Sequence, residues 1–210
     1  MDKPREIGIL FRGDMIRAIL AGQKTETRRP IRWPSWADTE INRAKMLAQE
    51  PPTGLAVYKD GRPVRRWPVR GAPGDRLWVR ETWTIPGLDF SAPGADPERA
   101  DRSLLRYRAD GERVQVPWLA PGDLVKPTWR PPLLMPRWAC RITLPVFSVR
   151  AERLTDITDA GAVAEGFVHA GLGATAADYC REYRRMYGLD EDADPWVWVV
   201  GFGAAEVTNA

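Results

Sequence analysis

Glycine and proline punctuate this chain so densely that its apolar runs stay short, and this limits it to brief strands and helices joined by tight turns. Ile7–Phe11 reads as a buried first strand. Asp14 is placed to cap a short helix whose apolar face is Met15, Ile16, Ile19 and Leu20, and Gly22 supplies its left-handed stop. Residues 56–64 predict a hairpin around Asp60-Gly61, with Pro63 keeping the second strand at an edge. A second hairpin is expected at Asp110-Gly111, between residues 105–108 and 114–116. Pro73-Gly74 turns into a strand over 75–83 on which Leu77, Val79 and Glu81 share one face. Residues 84–103 and 117–132 read as loops, and 135–149 is the longest β-prone stretch. Helices are expected over 158–165 and 175–187, stopped by Gly166 and Gly188, before a last strand at 195–202. Tyr179, Tyr183, Met186 and Tyr187 line one face of the later helix. The order is strand, helix, several strands, two helices, strand. It points to an α+β fold: a closed or nearly closed small β-barrel of mixed and antiparallel strands, with helices packed outside.

Composition excludes whole classes of function. The single histidine, His169, and two distant cysteines, Cys140 and Cys180, cannot assemble a CxxC or HExxH zinc site or the zinc centre of a base deaminase. No metal and no cofactor is expected, and buried free thiols are the reading for the two cysteines. There is no run of about 18 apolar residues for a membrane span, and Met1–Glu6 lacks the features of a signal peptide, so the expected location is the cytoplasm. Residues 1–150 carry 27 Lys and Arg against 17 Asp and Glu, whereas 151–210 carry 4 against 11. That asymmetry fits a basic face able to meet phosphates, and it equally fits ordinary solvated surface.

Four constellations can carry chemistry. Gln23–Arg29 follows a helix stop and gathers Lys24, Thr25, Thr27, Arg28 and Arg29: cations for a phosphate or carbonyl oxygen, and hydroxyls that donate or attack. A solvated edge strand explains the same residues. Arg76, Arg80, Glu81 and Trp83 belong to a strand that turns from apolar to polar, into a cavity or onto a barrel rim. Glu165 stands at a helix C-terminus, where the helix dipole drives a carboxyl pKa upward and suits it to general-acid work; a frayed, exposed glutamate is the plainer alternative. The ten tryptophans, interleaved with arginines, supply what base stacking needs, although most belong to a core. His169 is read as structural or surface.

These motifs bear a likeness to a known family. Leu20–Arg29 resembles the opening signature of ASCH-domain proteins. Pro73–Trp83 resembles a second signature of a phage and prophage branch of that family, as do Met135–Ala139, Leu154–Ile157 and Trp196–Val200. The likeness spans nearly all of residues 1–210 as a single domain, with insertions at about 34–70 and 84–130. It implies a PUA-like barrel that binds RNA or a modified nucleoside. The residues expected to bind that ligand are Thr25, Arg28, Arg29, Arg76, Arg80, Glu81, Trp83 and Arg137. Some small ASCH proteins are similar to metal-free amidohydrolases that deacylate N4-acetylcytidine. On that likeness Lys24 is the base, Thr27 the nucleophile and Glu165 the acid. Lysine can serve because burial lowers its pKa from about 10.4. In a regular strand Lys24 and Thr27 face opposite sides, so this chemistry needs an irregular turn there. Three expectations stand: a hydrolase of an N4-acylated cytidine or related base, a non-catalytic module for RNA or a modified base, and a metal-independent ribonuclease.

Overall fold

The computed structural model describes residues 4–33, 55–59, 62–67, 71–92, 95–167 and 175–208. His169, Trp36 and the Asp60-Gly61 turn lie outside the described residues. The strands are β1 Glu6–Leu10, β2 Glu26–Pro30, β3 Leu55–Lys59, β4 Arg62–Trp67, β5 Arg76–Arg80, β6 Trp83–Thr84, β7 Arg106–Tyr107, β8 Ile142–Arg153, β9 Trp196–Phe202 and β10 Glu206–Val207. The helices are α1 Gly13–Leu20, α2 Asp159–Ala164 and α3 Ala176–Tyr187. This is an α+β fold on a mostly antiparallel sheet.

The main sheet runs β1-β5-β8-β9-β2, with β10 also on β8. Among the described residues only β1 and β5 pair in parallel. Strand β8 serves two partners in succession: residues 143–145 pair with β5, and 146–153 with β9. The register slips between Val146 and Ser148, and Phe147 at the slip is 68% exposed. Such a bulge bends and twists its strand, so β8 turns the sheet. Among the described residues no ladder joins β1 to β2, so the sheet does not close as the expected barrel would. Instead, Arg29 on β2 donates from Nη2 to the Leu10 carbonyl at the end of β1, at 2.7 Å.

Strand β9 is covered on both faces. Val200 and Phe202 join Ile9, Phe11, Ile16, Ile19, Leu77 and Leu144 in the central core. Val197 and Val199 pack with Leu154, Ala162, Tyr179 and Tyr183 under α2 and α3. Thr158 and Thr175 cap α2 and α3 by accepting from the Gly161 and Asp178 N–H groups, and Gly188 ends α3 in the left-handed conformation. A third cluster, around Trp83, Ile85, Leu105, Tyr107 and Met135, gives the 84–130 segment its own core.

Three local expectations fail. Helix α1 starts at Gly13, so Asp14 lies inside the first turn, and the capping position is Arg12, which makes no side-chain cap bond. No hairpin forms at Asp110-Gly111: Tyr107 and Arg106 pair with Trp83 and Thr84, residues 108–110 form a 3-10 turn, and Val114 bridges to Val125. Burial of Trp83 and Tyr107 in one apolar cluster outweighs the local turn signal. In the 135–149 stretch the strand starts only at Ile142, because Pro136 leads into a 3-10 turn at Arg137–Ala139. Among the described residues no helix is long and apolar enough to cross a membrane. Among them too, no group of three or more His, Cys, Asp or Glu side chains converges as a metal site would. Both cysteines are buried and unpaired.

Candidate functional site

Lys24 is delivered by the turn after α1, before β2 becomes regular. Its backbone N–H bonds to the Ala18 carbonyl, and it bridges to Glu165 at the end of α2. The next residue, Thr25, donates its N–H to Ala164 at 2.7 Å. Gly166 permits this approach. Its φ is +71°, and a Cβ there would stand 2.8 Å from the Ala18 Cβ and 2.9 Å from the Lys24 Cβ. Only glycine meets both demands.

The Lys24 ammonium is fully buried and satisfied. It donates to the Glu26 carbonyl and the Glu165 carbonyl, each at 2.8 Å, and to Glu165 Oε2. Three protons meet three acceptors, which suits the charged form. Burial nevertheless pulls the Lys24 pKa below the usual lysine value, and the Glu165 carboxylate only partly offsets it. The other oxygen of Glu165 accepts from the Arg28 backbone N–H and, at 2.8 Å, from the Tyr179 hydroxyl. Burial and the neighbouring Glu165 carboxylate hold the Tyr179 pKa well above its ordinary value, so this hydroxyl stays a donor. Arg28, equally buried, donates to Glu152 at 2.8 Å and lies 3.3 Å from Glu26 and 3.6 Å from Glu165. Arg150 continues the network outward, at 2.9 Å from Glu26 and 3.1 Å from Glu152.

A cleft of about 850 Å³ lies beside this cluster. It is built from strand ends. The Phe11 N–H bonds to the Arg80 carbonyl at 3.3 Å, which brings the end of β1 against Glu81. The Arg29 guanidinium sits 5.3 Å from the Phe11 ring centroid. Phe11, Arg29, Glu81 and Thr82 therefore share one mouth, edged by α1, α3 and the 108–112 turn. Phe11 also stands between cleft and ion cluster, since the Lys24 Nζ lies 5.5 Å from its ring. Glu81 is buried and gripped by Arg141 through two bonds of 2.9 Å, and Arg141 holds Asp110 as well. Burial pushes the Glu81 pKa up despite Arg141.

The expected site residues thus separate. Lys24 and Glu165 are in contact. Thr27 is buried opposite Val200, on the core face, and among the described residues its hydroxyl makes no hydrogen bond. Arg29 and Glu81 line the cleft. Thr25 is exposed and away from it. Arg28 is locked in the ion cluster. Arg76 pairs with Glu206, and Arg137 with Glu6 at 2.9 Å. Arg80 and Arg137 flank Trp78, at 4.4 and 5.8 Å from its ring. Trp83 is core, edge-on to Phe90 and Trp138, and offers no surface to a base. Sequence reasoning missed Phe11, Arg141 and Tyr179 as members of the site. Tyr179 had a signal, its place on the aromatic face of α3, but that pattern spells packing rather than a bond to Glu165. No family model matches the chain, and neither the curated proteins nor the solved structures give a match.

Proposed function

We propose that this chain is an ASCH-type protein of the cytoplasm that binds a nucleobase, nucleoside or RNA in the cleft at Phe11, Arg29 and Glu81. We read residues 1–210 as one PUA-like domain with insertions at about 34–70 and 84–130. The bend in β8 and the Arg29 bridge between the outer strands support an incompletely closed PUA-like barrel, open between β1 and β2 among the described residues. The observation that carries the function is the convergence of an aromatic ring, a guanidinium and an oriented carboxylate in one cleft of about 850 Å³. Phe11, only 3% exposed, gives the cleft an apolar wall against which a base can pack, a guanidinium donates to carbonyl or phosphate oxygens, and a carboxylate accepts from an exocyclic amine. Fluorescence anisotropy with single-stranded RNA tests this. Affinity should fall with rising salt and fall again in Arg29→Gln. Affinity indifferent to both would refute the reading.

One observation favours a second reading, the hydrolase. Lys24 is buried against Glu165 with its pKa lowered, as a base in N4-acylcytidine deacylation requires. For that reaction a neutral Lys24 must take the Thr27 hydroxyl proton as that oxygen attacks the acyl carbonyl, and the departing cytosine amine must gain a proton through Glu165. Both Thr27, which lies on the core face, and Phe11 must move to admit substrate. Release of cytidine from N4-acetylcytidine, abolished by Lys24→Ala, is the expected result; no turnover by the parent protein removes this reading. Labelled RNA incubated with a chelator tests the ribonuclease reading in the same way.

A further inference from the structure

We propose that Arg17 and Arg29 form a phosphate subsite in this cleft, so that its preferred ligand is a nucleotide, free or within a strand, rather than an unphosphorylated nucleoside. The inference rests on the cleft reading above and adds the class of ligand.

Most charges around the cleft are already neutralised. Arg12 pairs with Asp14 at 2.9 Å, Arg108 with Glu112 at 2.6 Å and Arg185 with Glu182 at 2.8 Å. Glu81 belongs to Arg141. Among the described residues, Arg17 and Arg29 are the two cleft arginines with no carboxylate partner. Both line the same cleft, Arg29 from β2 and Arg17 from the last turn of α1. Arg29 Nη2 donates to the Leu10 carbonyl, and Arg17 Nη1 lies 3.5 Å from where a Cβ on Gly13 would stand. Each keeps donor capacity. Arg17 makes one long bond, to the Ala109 carbonyl at 3.4 Å. Arg29 uses Nη2 on Leu10 and Nη1 on the Tyr187 hydroxyl at 3.3 Å, while its Nε is buried with no acceptor.

A buried guanidinium N–H without an acceptor is unfavourable, and an anionic oxygen is the acceptor it binds most strongly. Two guanidinia without a carboxylate partner, lining one cleft, give a phosphate several charge-assisted bonds while the attached base packs along the cleft wall at Phe11. Asp14, Glu81, Glu112 and Glu182 also face the cleft, but each is held by an arginine other than these two.

The test is calorimetric titration of the protein with the four ribonucleosides, their 5′-monophosphates, inorganic phosphate and a short single-stranded RNA. The Nε–Hε signals of Arg17 and Arg29 are followed by NMR in parallel. Monophosphates should bind at least about tenfold more tightly than nucleosides, and Arg17→Gln should remove about tenfold of monophosphate affinity. Arg17 is exposed, so that variant folds; Arg29→Gln serves as the second variant. RNA binding that fails while monophosphates bind would assign the subsite to free nucleotides. Nucleosides and monophosphates binding equally would overturn the phosphate subsite and leave base binding intact. Binding of inorganic phosphate at Arg17 and Arg29 without any nucleoside or nucleotide would keep the subsite and overturn the base-binding reading. No perturbation of either arginine by any phosphate would overturn the inference.

Discussion

Replacing Lys24 by Met removes one charge of a buried pair while keeping most of the side-chain volume. The Lys24 side chain has no exposed surface, and that of Glu165 is 3% exposed. The carboxylate left behind keeps the Arg28 N–H, the Tyr179 hydroxyl and the Arg28 guanidinium at 3.6 Å. Breaking a buried pair from one side costs about 3–5 kcal/mol. The remaining donors put the expected cost near the lower bound, about 3 kcal/mol. In a chain of this length that corresponds to a melting point lower by about 6–12 °C. Glu165→Gln should cost a similar amount, because the ammonium then lacks its counter-charge. The double variant should be little worse than either single one, a coupling of about 2–3 kcal/mol. Urea unfolding followed by tryptophan fluorescence measures all three. A Lys24→Met cost below about 1 kcal/mol, or costs that simply add, would refute the claim that the two groups are buried as one unit.

Other predictions follow from single contacts. Burial pushes the Asp75 carboxyl up, but bonds from the Arg5 guanidinium and from the Arg5 and Ala72 N–H groups bring it below the ordinary value. Its contribution to stability is therefore full above the unfolded value of about 3.9 and is lost as pH falls through the folded value. Asp75→Asn should cost about 1–2 kcal/mol at pH 7 and nothing in strong acid, read from melts across pH. Gly166→Ala should cost about 1–3 kcal/mol by thermal melting, because the left-handed φ and the contact with Ala18 Cβ both oppose it. Trp83→Phe should lower stability yet leave RNA affinity within about twofold, since the ring is core; a large loss of affinity with an unchanged melt would return Trp83 to the binding surface.

Much of the frame is legible in the sequence because its signals are local. Gly22, Gly166 and Gly188 all adopt the left-handed conformation their helix stops require, and Thr158 and Thr175 sit at the two later helix starts. The Lys24–Glu165 contact, 141 residues apart, was reachable only through the family resemblance, since nothing near Lys24 points to Glu165. The Asp110-Gly111 turn misled because a tertiary apolar cluster decides where Tyr107 pairs. Arg76, Arg80 and Arg137 looked like ligand contacts by type. Their partners, Glu206, Trp78 and Glu6, come from distant segments that no local pattern reveals.

The central claim is that a base enters the cleft beside Phe11. Photo-crosslinking of RNA carrying 4-thiouridine, followed by mass-spectrometric mapping, tests it most directly. The account predicts adducts on the accessible cleft residues beside Phe11, namely Met15 and Met186. Adducts confined to the separate cavity at Trp118 and Trp129, or none above the background of an Arg29→Gln control, would contradict it.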